Sequence, residues 1–370
     1  MIDWTTAFIP YPHNEPINNG KCISLDANGR IEWQTDKFLP VEGSYSSNVS
    51  IRSHGSSEAE KLLRGYRYSH IVLSGNPVKF LQGHNIFGCD DLPSLLADCF
   101  KKVCNLIEKP ELFSYSAIHN AYLTRVDVNY GYSLNNPESV NAWLRSAESS
   151  TNLKHRGKGQ FDHGTLYFGR NSSYWFIKFY HKGNEIRANK KHQRIDLLDN
   201  KNVSAFADNL LRCEVQIKSR ELKDTGLRAV SSWHDVDVQN LYNGYTSKLE
   251  FSENTMTICD EKLKELPRRY RTTHALWLSG ADLRQEMGRT SFYDHRRFLM
   301  NELNVDISIK LSTDKPDMSN VVPLVRFIEA IPAETPSWAS GTNWLYEPNN
   351  FPESEKRALT LADFGMEKQA

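Results

Sequence analysis

Two stretches of this chain alternate apolar and polar residues strictly, and they restrict the fold more than anything else in it. Arg125 to Tyr132 sets Val126, Val128, Tyr130 and Tyr132 against Arg125, Asp127 and Asn129; Leu211 to Lys218 sets Leu211, Cys213, Val215 and Ile217 against Arg212, Glu214, Gln216 and Lys218. A period of two places alternate side chains on opposite faces of a strand. Each stretch is therefore a half-buried strand with one carboxylate in the middle of its polar face. Between them the spacing predicts a helix from about Pro137 to Ala147 and another from about Val203 to Leu210. Strands and helices segregated in this way predict an α+β domain, an antiparallel sheet with helices on one face and the active site on the other.

Also between them lies Thr165 to Glu185, TLYFGRNSSYWFIKFYHKGNE. Thr165 to Phe168 is a β-branched and aromatic run closed by Gly169, and Tyr174 to His181 is a longer one closed by Gly183, so a hairpin is expected. On its second strand Phe176, Lys178 and Tyr180 share one face, and Trp175, Ile177 and Phe179 the other. Tyr180 thus stands on the charged side, with Lys178 and Lys182 at spacings of two, His181 beside it and Glu185 beyond. A phenol of pKa near ~10 attacks a phosphodiester only when nearby positive charge or a metal favours the phenolate. The competing reading is an amphipathic edge hairpin with a satisfied tyrosine hydroxyl.

This segment resembles the active-site segment of rolling-circle replication initiators, a small-residue turn before a strand ending in Tyr-x-Lys with a glutamate downstream. More narrowly, LQGHNIFG at 81–88 and NVVPLVRFI at 320–328 resemble the gene II/X replication initiators of filamentous bacteriophages. The likeness runs in order from about Leu81 to Ile328, leaving out most of the first eighty residues and everything after Ala330. It implies a nick in one strand of replicative-form DNA at the origin through a 5′-phosphotyrosine on Tyr180, and later rejoining of the displaced strand into a circle. It also implies origin DNA, duplex and single-stranded, as partner, together with the host replication helicase and polymerase, and a shorter product started internally at Met256.

Asp127 and Glu214, with help from Glu185, offer hard oxygen ligands suited to Mg²⁺ or Mn²⁺. The wider HUH endonuclease pattern is absent, because no His-x-His pair occurs in the chain. His84 and His163 stand alone; His84 and His181 remain open as neighbours of a metal. Arg125 and Arg212, each two residues before a carboxylate, instead allow Asp127 and Glu214 to be structural salt bridges. A non-catalytic duplex DNA-binding protein regulating phage or plasmid replication, and a metal-dependent nuclease using water, are the other functions considered.

Formal net charge is zero, so any nucleic-acid surface must be local. Thr151 to Asn200 supplies it, with ten Lys or Arg against four Asp or Glu, and Arg170 on the hairpin turn is the DNA contact expected there. Cysteines 22, 89, 99, 104, 213 and 259 form no CxxC pair, and the first ten residues lack a signal-peptide pattern. The bacterial host cytoplasm is the expected location, without a membrane partner.

Asp26-Ala27-Asn28-Gly29 marks a hairpin between Cys22–Leu25 and Arg30–Trp33, and Asn48–Ser53 and Tyr68–Leu73 add strands. Residues 1–80 are thus expected as a strand-rich region packed on a catalytic domain at 81–250. Leu95, Leu96, Cys99, Phe100, Val103, Cys104 and Ile107 follow helical spacing, with Asp91 as cap and Pro93 in the first turn. Residues 256–330 are expected as a mainly helical DNA-binding domain. Within it Ala281–Met287, Gly288 and Thr290–Leu303 resemble a helix-turn-helix whose second helix offers Arg289, Arg296 and Arg297 to DNA, or a helical hairpin that merely packs. Residues 331–370 are expected as a weakly ordered tail or one wrapped over the surface.

Overall fold

In a computed structural model of the chain, residues 1–55, 66–134, 136–153, 157–189, 194, 196–251, 266–278, 281–303, 307–308 and 333–364 are described. The 320–328 block, Met256, and Lys154, Arg156, Lys190 and Lys191 of the basic stretch lie outside them. The strands are β1 (Ile2–His13), β2 (Lys21–Leu25), β3 (Ile31–Asp36), β4 (Leu39–Glu42), β5 (Asn48–Gly55), β6 (Tyr68–Gly75), β7 (Tyr122–Ser133), β8 (Thr151–Leu153), β9 (Gly157–Lys158), β10 (Gln160–Asp162), β11 (Thr165–Phe168), β12 (Trp175–His181), β13 (Leu210–Lys218) and β14 (Leu249–Phe251).

Nine of them form one antiparallel sheet, in the order β10-β11-β12-β13-β7-β1-β6-β5-β4 among the described residues. The two alternating stretches, β7 and β13, are direct neighbours, pairing Glu214 with Asn129 and Gln216 with Asp127. The first strand was not foreseen. Rather than packing on the catalytic domain, the N-terminal residues enter its sheet, because Ala7 and Ile9 complete the apolar face between Leu123, Val126 and Ile71.

The principal helices are α1 (Pro77–Gln82), α2 (Leu92–Leu106), α3 (Tyr115–His119), α4 (Pro137–Ser150), α5 (Lys182–Ala188), α6 (Lys201–Asp208), α7 (Ser219–Asp224), α8 (Val238–Thr246), α9 (Arg268–Leu278), α10 (Leu283–Glu286) and α11 (Arg289–Leu303). Asp91 caps α2 by accepting from the Ser94 amide at 3.0 Å. Leu95, Leu96, Phe100 and Val103 then bury against the sheet, each apolar side chain worth roughly 1.5–3 kcal/mol. The segment after Gly75, a candidate for further extended chain, is instead helix α1. Asn76 caps it through the Lys79 amide at 2.8 Å, Pro77 opens its first turn, and Gly83 ends it at φ 89°, where a side chain is strained.

Beyond the sheet, α9, α10 and α11 pack around Tyr270, Leu283, Phe292, Leu299 and Ile307. The first helix of the expected helix-turn-helix is shorter than its sequence pattern, four residues opened by Asp282. Residues 333–364, expected to be weakly ordered, are laid over the sheet domain. Tyr346 Oη and the Asn349 amide both donate to Asp98 of α2 at 2.9 Å, and Phe351 is buried in the main core. The tail's aromatic residues supply the apolar contact that its composition concealed. No helix among the described residues is long and apolar enough to cross a membrane.

Candidate active site

Hairpin β11–β12 pairs Thr165 with Tyr180 and Tyr167 with Lys178, and its turn is closed by the Ser172 amide donating to the Gly169 carbonyl at 2.9 Å. Trp175, Ile177 and Phe179 enter the main core, as the period of two requires. Lys178 and Tyr180 therefore face the other way, across to β13, where Lys178 is paired with Glu214 and Tyr180 with Arg212. They form part of a cleft of about 640 Å³ that Asp3, Asn76, Lys79, Asn85 and Glu185 also line.

At its floor one carboxylate holds two partners. Tyr180 Oη donates to Glu214 Oε1, and Lys178 Nζ lies 2.5 Å from Glu214 Oε2. Burial pushes the Glu214 carboxyl up, but the Lys178 charge and the two hydrogen-bonding partners outweigh it and leave it below its ordinary value. Burial pulls the Lys178 ammonium down, and Glu214 and Asp127 more than restore it, to above its usual range. The Tyr180 phenol is driven well above its ordinary value, first by burial and then by Glu214 and Glu185. This reverses the expectation of a phenolate favoured by cations. The cations are present, but they are matched by carboxylates, so the resting hydroxyl is a neutral donor.

Lys182 differs from its expected role as a surface phosphate contact. It is 0% exposed, donating to Asn85 Oδ1 and to Glu185 Oε2, both at 2.8 Å, with its ammonium 5.8 Å from the centre of the Tyr180 ring. Glu185 sits not on the strand but in the first turn of α5. Burial raises its carboxyl, and Lys182 outweighs that to hold it low.

Asp127 takes the salt-bridge alternative. Arg125 grips it with two parallel bonds, Nε to Oδ1 at 2.8 Å and Nη2 to Oδ2 at 2.6 Å. Burial still raises its carboxyl to about 6 against that pairing. Arg212 does not pair with Glu214, donating instead to Asn129 and to the Asn85 and Ile86 carbonyls. Asp127, Glu214 and Glu185 are thus each ion-paired within the protein, and no three His, Cys, Asp or Glu side chains among the described residues are grouped to hold a metal. As arranged here, they do not fit Mg²⁺ or Mn²⁺.

His84 lies away from this cleft, fully buried, with Nε2 donating to the Trp344 carbonyl at 2.8 Å. Burial lowers its imidazole to about 3. It fastens the tail. His181 lines the cleft, but its Nε2 is engaged by the Asp208 carbonyl at 2.6 Å. Arg170 pairs with Asp162 at 2.7 Å and lies 4.5 Å over the Tyr167 ring. Tyr174 falls outside β12 and is exposed. Arg289 and Arg297 are exposed on α11, where Arg296 and Arg297 line a shallow recess with Tyr293 and Met300.

Asp3, Asn76 and Asn85 were missed. The period of two in Thr5, Ala7 and Ile9 could have disclosed β1, and with it Asp3. The 81–88 block drew attention to His84, whereas its neighbour Asn85 is the residue in the cleft.

Residues 1–236 match the N-terminal family of the phage replication-associated protein encoded by gene II, and residues 258–349 match the C-terminal family of the same protein. The replication-associated protein of Enterobacteria phage I2-2 is 35% identical over 341 residues, spanning 91% of this chain and 96% of that protein. The protein of the same name from Enterobacteria phage M13 is 23% identical over 214 residues, 53% of this chain and 52% of its own length. A rolling circle replication initiator protein from Geobacillus stearothermophilus, 14% identical over 84% of this chain and 98% of that one, superposes with a TM-score of only 0.28 and supports no further step. Two consecutive family matches, and a relative aligned over nearly its whole length, agree with a sheet built across residues 2 to 218: the chain belongs to the gene II family of phage replication-associated proteins.

Proposed function

We propose that this protein initiates rolling-circle replication, nicking one strand of its origin through Tyr180 and later rejoining the displaced strand into a circle. The observation that carries the reading is the shared carboxylate of Glu214, bound to the hydroxyl of Tyr180 and the ammonium of Lys178 at the floor of a cleft. Tyr180 Oη attacks phosphorus as the bond from phosphorus to O3′ breaks, and its proton passes to Glu214 Oε1. Neutralising Glu214 removes the charge that holds the Lys178 proton, so Lys178 becomes the acid that protonates the leaving O3′. Glu214 then returns its proton to Lys178. The net change is one proton moved from Tyr180 to O3′, leaving a 5′-phosphotyrosine and a free 3′-OH, and the same steps reversed close a strand.

Helix α11 is the proposed duplex reader, supported by exposed Arg289, Tyr293 and Arg297 on the side opposite its buried Phe292 and Leu299. A part for Mg²⁺ or Mn²⁺ would require the carboxylates to release their cations. Supercoiled origin DNA labelled internally and incubated with the protein, with and without Mg²⁺, tests the whole reading. Label held on the protein after denaturation, and lost in Tyr180→Phe, is expected. Nicked DNA without bound label points to hydrolysis by water, and a shifted but intact duplex to a non-catalytic binder.

A further inference from the structure

Strand β1 carries a defect at the cleft. Its pairing with β7 passes from Ile2 opposite Val128 to Thr5 opposite Val126, three steps on one strand against two on the other. One extra residue in β1 makes a bulge, and bulges re-aim side chains. Ile2, Ala7 and Ile9 face the core, while Asp3 and Trp4, adjacent in sequence, both line the cleft. A regular strand would have turned one of them inward.

Asp3 is buried, and its Oδ1 accepts from Nδ2 of Asn76 and from Nδ2 of Asn85, both at 2.7 Å. A carboxylate only accepts, so each amide must present its NH₂ group to Asp3 and turn its carbonyl oxygen away. The Asn76 oxygen caps α1. The Asn85 oxygen receives the Lys182 ammonium at 2.8 Å. Were the Asn85 amide reversed, its NH₂ would meet Lys182 donor to donor.

Building on the nicking reading above, we propose that Asp3 is a positioning residue of the Tyr180 site: through Asn85 it holds the Lys182 ammonium beside Tyr180, where positive charge is needed as the attacked phosphate gains charge. Glu185 alone leaves Lys182 free to follow α5; the Asn85 oxygen is the contact that ties it to the β1 side of the cleft. Asp3→Asn removes the charge that orients Asn85 while keeping the shape. Lys182 then loses its fixed place, and misplacement of a catalytic group by about an ångström costs on the order of 10-fold to 100-fold in rate.

The test is a double-mutant cycle on single-turnover covalent attachment to supercoiled origin DNA, with melting temperature and duplex affinity measured alongside. Asp3→Asn should slow attachment by on the order of 10-fold with duplex affinity unchanged. Added to Lys182→Met, it should cause no further loss, because the relay then has nothing to position. Wild-type attachment by Asp3→Asn, or losses that multiply in the double variant, overturns the proposal. Should Asp3→Asn not fold, Asn85→Ala combined with Lys182→Met poses the same question at the middle of the relay, with the same two outcomes. Persistence of the adduct in Tyr180→Phe would sink the nicking reading itself, independently of the cycle.

Discussion

The hydroxyl of Tyr180 and the ammonium of Lys178, two residues apart on β12, are bound to the two oxygens of one carboxylate, that of Glu214. Nucleophile and cation are therefore coupled. A change of charge on either is felt by the other through a group that water hardly reaches.

Replacing that group separates chemistry from folding. Glu214→Gln keeps the shape but removes the proton acceptor, and loss of a positioned base lowers rates by about 10²–10⁴-fold. It also leaves Lys178 without its countercharge, which costs roughly 3–5 kcal/mol when a buried pair is broken. Single-turnover attachment and urea unfolding measure the two effects. Full attachment by Glu214→Gln would remove the proton path proposed here.

Asp127 should behave differently, because both its oxygens are held by Arg125. Asp127→Ala is expected to lose roughly 3 kcal/mol of stability, while attachment at a temperature where it stays folded responds to Mg²⁺ as the wild type does. A rise in the Mg²⁺ concentration needed for half-maximal attachment would instead restore Asp127 as a metal ligand.

Stability should fall with acid through His84. Its folded imidazole titrates at about 3 against 6.5 for the free group, so the unfolded chain binds the proton first. The His84 contribution is complete above about pH 6.5 and is lost as pH falls towards about 3, at up to ~1.4 kcal/mol per pH unit. His84→Gln, which retains an N–H for the Trp344 carbonyl, should show a shallower decline in unfolding free energy between pH 6.5 and 5. Identical slopes would show that His84 is not the group responsible.

For α11 the expected signature is electrostatic. Arg297→Ala in the full chain should weaken binding to duplexes of different sequence alike and lower the salt slope by about 1 if Arg297 meets a phosphate. If it instead meets a base edge, the loss is about 1–3 kcal/mol at one position of the site. No change in either quantity would leave α11 as a packing helix.

What the sequence determined by itself is what a strand or helix decides locally. The period of two set Lys178 and Tyr180 on one face of β12 and Glu214 on the polar face of β13, and the apolar stripe with its Asp91 cap defined α2. Which groups would meet was decided only by the tertiary structure. Glu214 received Lys178 and Tyr180 rather than Arg212 because β12 pairs with β13 in the register that sets Lys178 beside Glu214. Asp127 kept its own neighbour Arg125, and Asp3 came from the far end of the sequence through a bulge in β1. Side-chain period is a property of consecutive residues, whereas strand order and register depend on apolar faces brought together from across the chain. The protonation of Tyr180 belongs to that second class, since burial and Glu214, rather than the lysines beside it in sequence, set the state of its hydroxyl.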